Sequence, residues 1–152
     1  MENKNFYLYN YLPKELLSKE GKKSTEKLKE ISLIGLYFGA LSCPPCNYFT
    51  RLLKKFYEKS NEKEKKVEII YCSLDECQED FDEYYSKMPW LSLSYDDENL
   101  EKMGNDFSIE GVPVFFIFTG KGKLVDIHGK KIIEKQNEEG LNIWLEKAKN
   151  LK

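Results

Sequence analysis

Two cysteines, Cys43 and Cys46, stand three positions apart in Ser42-Cys43-Pro44-Pro45-Cys46. Thiols at this spacing can close to a disulfide and open again, so the pair can pass two electrons to or from another disulfide. The chain holds two further cysteines, Cys72 and Cys77. Four cysteines allow about three pairings, and only Cys43 with Cys46 has a redox-motif spacing. The same four residues also form Cys-x2-Cys and Cys-x4-Cys, a set that could ligate zinc. That is an awkward metal knuckle, because one pair opens a long amphipathic helix and Cys72 falls within an apolar strand. No metal is therefore expected. Cys72 reads as a small buried hydrophobe. Cys77 stands near acids at a helix start, where a thiolate is disfavoured.

The flanking residues place the pair. Before it runs Leu33-Ile34-Gly35-Leu36-Tyr37-Phe38, an almost unbroken apolar segment that reads as a buried central strand. After it, Phe49, Leu52, Leu53 and Phe56 recur at helical spacing. Pro44 and Pro45 fit the first helical turn, where a missing N–H costs little, and the helix is expected to end near Ser60. Cys43 then sits at a helix N-terminus, whose unpaired N–H groups and dipole favour an anion over a thiol of ordinary pKa. Cys43 is accordingly the candidate nucleophile. Cys46, one turn inside and more buried, is the candidate resolving thiol, displacing a substrate sulfur from Cys43.

Further along, Val67 to Ser73 reads as a second, β-branched strand, and the acidic stretch from Leu74 to Lys87 as containing a helix. Met88 to Leu93 is extended, since Pro89 disfavours helix at Met88. Leu100, Met103 and Phe107 mark a short amphipathic helix within 99–107. Val114 to Phe118 is a third buried strand, joined through Thr119-Gly120-Lys121-Gly122 to a strand over Lys123 to Ile127 as a hairpin. Leu141, Trp144, Leu145 and Ala148 mark a closing helix. His128 reads as a surface turn, and Trp90 and Trp144 as core. Residues 1–30, broken at Pro13, read as an N-terminal extension packing on a core of residues 31–150, the whole chain 1–152 forming one domain. The order describes an α/β domain, a central sheet with helices on both faces.

Composition narrows the function. Of 152 residues, 33% are charged and 41% hydrophobic, ordinary for a soluble globular domain. The 24 Lys and Arg nearly balance the 26 Asp and Glu, which gives no electrostatic case for nucleic acid or an anionic membrane. No apolar run approaches a bilayer span of about 20 residues. Met1 to Leu12 lacks the basic and apolar regions of a secretory signal. The expected location is therefore cytoplasmic and reducing, where a cysteine pair is catalytic more often than structural. A monomer is the default.

Four peptides together resemble the thioredoxin-fold proteins of the tryparedoxin and nucleoredoxin type. They are Tyr37-Phe38-Gly39-Ala40 leading into the Cys-Pro-Pro-Cys motif, Val67 to Glu76 ending in an acidic turn, Lys87-Met88-Pro89-Trp90-Leu91, and Gly111-Val112-Pro113 before the apolar strand. They occur in the family's order over residues 30 to 130. The resemblance implies a thioredoxin fold and a protein-disulfide reductase with no cofactor beyond a redox-active Cys43–Cys46 disulfide. It also implies partners that are disulfide-containing proteins, a peroxidase among them, and an electron donor that is a reductase or a low-molecular-weight thiol. It makes Pro113 a cis proline facing the dithiol; read alone, the sequence favours a trans proline at a strand start. With a cis bond, the Val112 backbone is free to pair with an extended substrate, and Ser42, Pro44 and Pro45 complete the candidate substrate surface. Asp75 and Glu76 are candidates for gating substrate or accepting protons, and read equally as a helix N-cap with first-turn acids. The chain departs from the family where Ser42 and Leu74 replace usual tryptophans and Lys130 stands in for an arginine. Those departures keep a second function in view: a thioredoxin-fold binding module with little or no redox turnover.

Overall fold

A computed structural model describes residues 6–151; the first five residues of the expected extension, and Lys152, lie outside it. Its strands are β1 (Glu15–Ser18), β2 (Gly21–Ser24), β3 (Leu33–Gly39), β4 (Val67–Ser73), β5 (Leu91–Ser92), β6 (Val114–Thr119) and β7 (Leu124–Asp126). The helices are α1 (Pro44–Ser60), α2 (Gln78–Tyr85), α3 (Asn99–Asp106), α4 (Gly129–Gln136) and α5 (Gly140–Lys149). All seven strands form one sheet in the order β2-β1-β5-β4-β3-β6-β7. β3 runs parallel to β4, and β4 to β5, while β6 is antiparallel to β3, β7 to β6, and β1 to both β5 and β2.

The central strands are apolar on both faces because both faces are covered, as parallel strands require. Along β3, Leu33 and Tyr37 point into one core and Ile34, Leu36 and Phe38 into the other. Gly35 falls on the first face, where a Cβ would stand 2.5 Å from the ring of Phe115. That first core receives Cys46, Phe49, Leu53 and Phe56 from α1, Phe81 and Tyr84 from α2, Ile133 from α4 and Trp144 from α5. The second core is closed by Met103 of α3, by Phe107, and by Phe6, Leu8, Tyr11 and Leu28 of the N-terminal segment.

Two elements differ from the sequence reading. Within residues 1–30, Glu15 to Ser24 forms a hairpin that adds two strands beside β5, and Gly21 turns it at φ 104°. The segment Gly129 to Gln136, which the sequence reading leaves unassigned between hairpin and last helix, is α4, with Ile133 fully buried. The hairpin β6–β7 closes as expected, with Gly122 at φ 104°.

Candidate active site

β3 ends at Gly39, and a short turn, Ala40-Leu41-Ser42, carries the chain to α1. Cys43 is the N-cap of α1, extended at φ −108°, and its N–H donates to the Ala40 carbonyl at 3.2 Å. Pro44 and Pro45 occupy the first two helical positions. They remove two of the amides that a helix start normally turns toward its cap. The stabilisation of sulfur is therefore narrower than the expected ring of free N–H groups. A single amide, that of Cys46, donates to Cys43 Sγ at 3.1 Å, backed by the helix dipole. Cys43 and Cys46 are joined as a disulfide with 5.2 Å between their Cα atoms. Cys43 is half-buried and Cys46 fully buried, so only the first sulfur is open to a partner.

The bond between Val112 and Pro113 is cis. It brings the Val112 carbonyl oxygen to 3.7 Å from Cys43 Sγ. The loop ahead of β6 and the start of α1 thus meet at the one reachable sulfur. Ser42, Pro44 and Pro45 are exposed around it, Val112 is half-buried and Pro113 buried.

Asp75 is only 8% exposed. Its Oδ1 accepts the Leu41 N–H at 2.6 Å, and its Oδ2 accepts the hydroxyls of Tyr71 at 2.7 Å and Ser73 at 2.6 Å. It is not a helix N-cap; Cys77 holds that position on α2. Asp75 straps the end of β4 to the residue two before Cys43. Glu76 is exposed and makes no such bond.

Sequence reasoning does not find the polar floor under the dithiol. The Tyr37 hydroxyl donates to the Cys46 carbonyl at 3.1 Å and lies 2.7 Å from Thr50 Oγ1 and 3.0 Å from the Tyr84 hydroxyl. Thr50 and Tyr84 are 2.7 Å apart. Burial pushes the Tyr37 and Tyr84 hydroxyls above the usual phenol range, with the neighbouring Tyr84 hydroxyl adding to the effect on Tyr37. These three groups stay protonated and hold the first turn of α1 by hydrogen bonds, not by charge. A tyrosine, with its one hydroxyl, inside an otherwise apolar strand is the sequence signal for this floor.

The other cysteines do not converge on the pair. Cys72 lies in the opposite core, where burial pushes its thiol well up, and Cys77 is exposed. Among the described residues no group of three or more His, Cys, Asp or Glu is placed to hold a metal ion. His128 is exposed at the start of α4, and Trp90 and Trp144 are buried.

Comparison with known proteins places this arrangement. A profile described as thioredoxin-like matches residues 19–124. Tryparedoxin from Trypanosoma brucei brucei is 42% identical over 109 residues, covering 70% of this chain and 74% of that protein. Nucleoredoxin from Danio rerio is 35% identical over 116 residues, covering 76% of this chain but 28% of the relative; the chain spans just over a quarter of that nucleoredoxin. Among solved structures, a tryparedoxin from Trypanosoma brucei superposes with TM-score 0.77 at 36% identity, covering 86% of this chain and 92% of that one. A tryparedoxin II solved in complex with glutathionylspermidine superposes with TM-score 0.77 at 29% identity, covering 84% and 90%. With the Cys43–Cys46 disulfide fitting a Cys-x-x-Cys redox pair, the chain belongs to the thioredoxin-like family of oxidoreductases, alongside the tryparedoxins and nucleoredoxins.

Proposed function

We propose that the protein is a thiol–disulfide oxidoreductase that reduces protein disulfides. The observation that carries this is the half-exposed Cys43 sulfur, set between the Cys46 amide and the Val112 carbonyl, with the second thiol buried behind it. In the reduced protein, the Cys43 thiolate attacks one sulfur of the substrate disulfide. A Cys43–substrate bond forms, and the other substrate sulfur leaves as a thiolate and takes up a proton. Cys46 then loses its proton and attacks Cys43 Sγ. The Cys43–Cys46 disulfide closes, and the second substrate sulfur leaves as a thiol. Two electrons have passed to the substrate, and an external dithiol must restore the pair.

In this reading the donor is a reductase or a low-molecular-weight thiol, and the glutathionylspermidine bound by a tryparedoxin II supports the thiol class. The substrates are disulfide-containing proteins, a peroxidase among them. The domain works as a monomer in the reducing cytoplasm, without metal or cofactor. Ser42, Pro44, Pro45, Val112 and Pro113 form the docking surface, and an extended substrate segment pairs with the Val112 backbone.

Insulin-disulfide reduction with a chemical dithiol as electron source tests the reading. Turnover is expected from the native chain and its abolition in Cys43→Ser, while Cys46→Ser should trap a mixed disulfide through Cys43. No turnover by the native chain, or full turnover by Cys43→Ser, overturns it. Retained partner binding and cellular role in Cys43→Ser/Cys46→Ser would assign a binding module instead.

A further inference from the structure

The topology puts two oppositely charged grooves on either side of the dithiol. At one end of the sheet, β4 stops at Ser73, β3 at Gly39, β6 begins at Val114 and β7 stops at Asp126, in that lateral order. Cys43 stands beyond the end of β3, in the middle. On the β7 side, a groove of about 380 Å³ begins at Pro113 and is floored by Val114, Phe115 and Ile127. Its rim carries His128, Lys130, Lys131 and Lys135. Lys130 pairs with Glu134 at 3.2 Å, whereas Lys131 and Lys135 have no carboxylate partner among the described residues. Gly129 lets α4 lie against β6 closely enough to bring these lysines there, since a Cβ at Gly129 would stand 2.7 Å from the Phe115 carbonyl.

On the β4 side, a groove of about 690 Å³ begins at Leu74 and Asp75 and runs along α3. It is lined by Asp96, Asp97, Glu98 and Glu101, none of which has a lysine or arginine partner among the described residues. Leu74, 44% exposed at the head of the acidic groove, and the exposed Pro44 and Pro45 beside Cys43 add no charge of their own.

We propose that this surface reads the polarity of its protein substrate: it takes an extended disulfide segment bearing carboxylates on one side of the attacked cysteine and cations on the other. The inference rests on the oxidoreductase reading above. An extended chain laid against Val112 crosses Cys43, with the Pro113 end of the basic groove on one side and the Leu74–Asp75 end of the acidic groove on the other. The lysines attract a carboxylate, and the acids of the other groove repel one laid the opposite way, so a single binding direction is favoured. A net charge near zero hides this polarity in the composition, because the two signs cancel over the chain.

The test uses three peptide disulfides of matched length. One has two glutamates before the reactive cysteine and two lysines after it, one has the reverse order, and one is neutral. Neutral hydroxyethyl disulfide serves as the control that the pair turns over at all; if it is not reduced, the failure belongs to the oxidoreductase reading. With the pair active, the two charged peptides should differ about tenfold in kcat/KM at low salt, since several exposed charge pairs act together. The difference should vanish toward 1 M salt, where the screening length falls to about 3 Å. In Lys131→Glu/Lys135→Glu the previously slower peptide should gain on the faster one, which a misfolded variant cannot imitate. Equal rates for the two orders in the native chain, or a difference untouched by salt, overturn the proposal.

Discussion

Asp75 gives the sharpest handle on how the nucleophile is held. In Asp75→Ala, three donors lose their acceptor: the Leu41 amide, the Tyr71 hydroxyl and the Ser73 hydroxyl. Hydrogen bonds to an ionised group contribute about 1.5–3 kcal/mol each, and the buried carboxylate gives back part of that through its desolvation. Tyr71 keeps an alternative acceptor in the Gly39 carbonyl at 3.0 Å, and Leu41, being half-buried, can turn to water. The net loss is then about 3 kcal/mol, which for a domain of this size lowers Tm by roughly 6–12 °C. Asp75→Asn retains an acceptor for Leu41 and should lose only about a third of that. Differential scanning calorimetry of the oxidised protein measures both, and alkylation of the reduced protein reads Cys43. The alanine variant should show a broadened, slower alkylation because the turn ahead of Cys43 is no longer strapped to β4. A Tm loss below about 3 °C in Asp75→Ala, or equal losses in the two variants, would refute the strut.

Two further outcomes follow from burial. Burial, and then neighbouring Tyr7 and Glu26, push the Tyr9 hydroxyl up to about 12; burial and Asp106 do the same for Tyr11, and the more deeply buried Tyr37, Tyr57, Tyr71, Tyr84 and Tyr85 are also raised. The folded state therefore holds these protons more tightly than the unfolded chain, so their contribution is intact below pH 10 and is lost as pH rises toward 12. Denaturant midpoints should fall steeply across that window while the native phenolate absorbance lags that of the unfolded chain; coincident curves would contradict this. Phe107→Ala should cost about 3–5 kcal/mol in urea unfolding, because that ring lies 4.4 Å from Phe6, 4.9 Å from Tyr11 and 5.0 Å from Phe116. A cost under about 1 kcal/mol would mean that the N-terminal segment packs without it.

The parts of the fold that are legible in the sequence are those whose periodicity is strong on their own. β3, β4 and β6 read as strands because both of their faces are apolar, and α1 because its stripe runs unbroken from Phe49 to Phe56. The hairpin β1–β2 is hidden because an edge needs little apolar surface: Leu16 is its one fully buried side chain, and all of β2 is exposed. α4 is hidden because only Ile133 of its side chains is fully buried, so its stripe is too thin to stand out among lysines. At the site, the dithiol and Pro113 are local signals. Asp75 is visible as an acid near a strand end, but its bond to Leu41 spans 34 positions and follows from the parallel pairing of β3 and β4. The polar floor and the paired grooves depend likewise on which chain ends the topology gathers, and no local window contains them.

One of the sheet's two edge strands, β2, has a consequence of its own. Among the described residues, β2 leaves one row of backbone amides and carbonyls without a neighbouring strand, the kind of margin along which sheets of separate molecules join. Its residues there are Gly21, Lys22, Lys23 and Ser24. A second molecule sliding alongside would meet two ammonium groups and no greasy patch to settle on. The least hydrophobic strand of the protein thus discourages edge-to-edge pairing on this side of the sheet, with the apolar β4 and β3 three and four places further in.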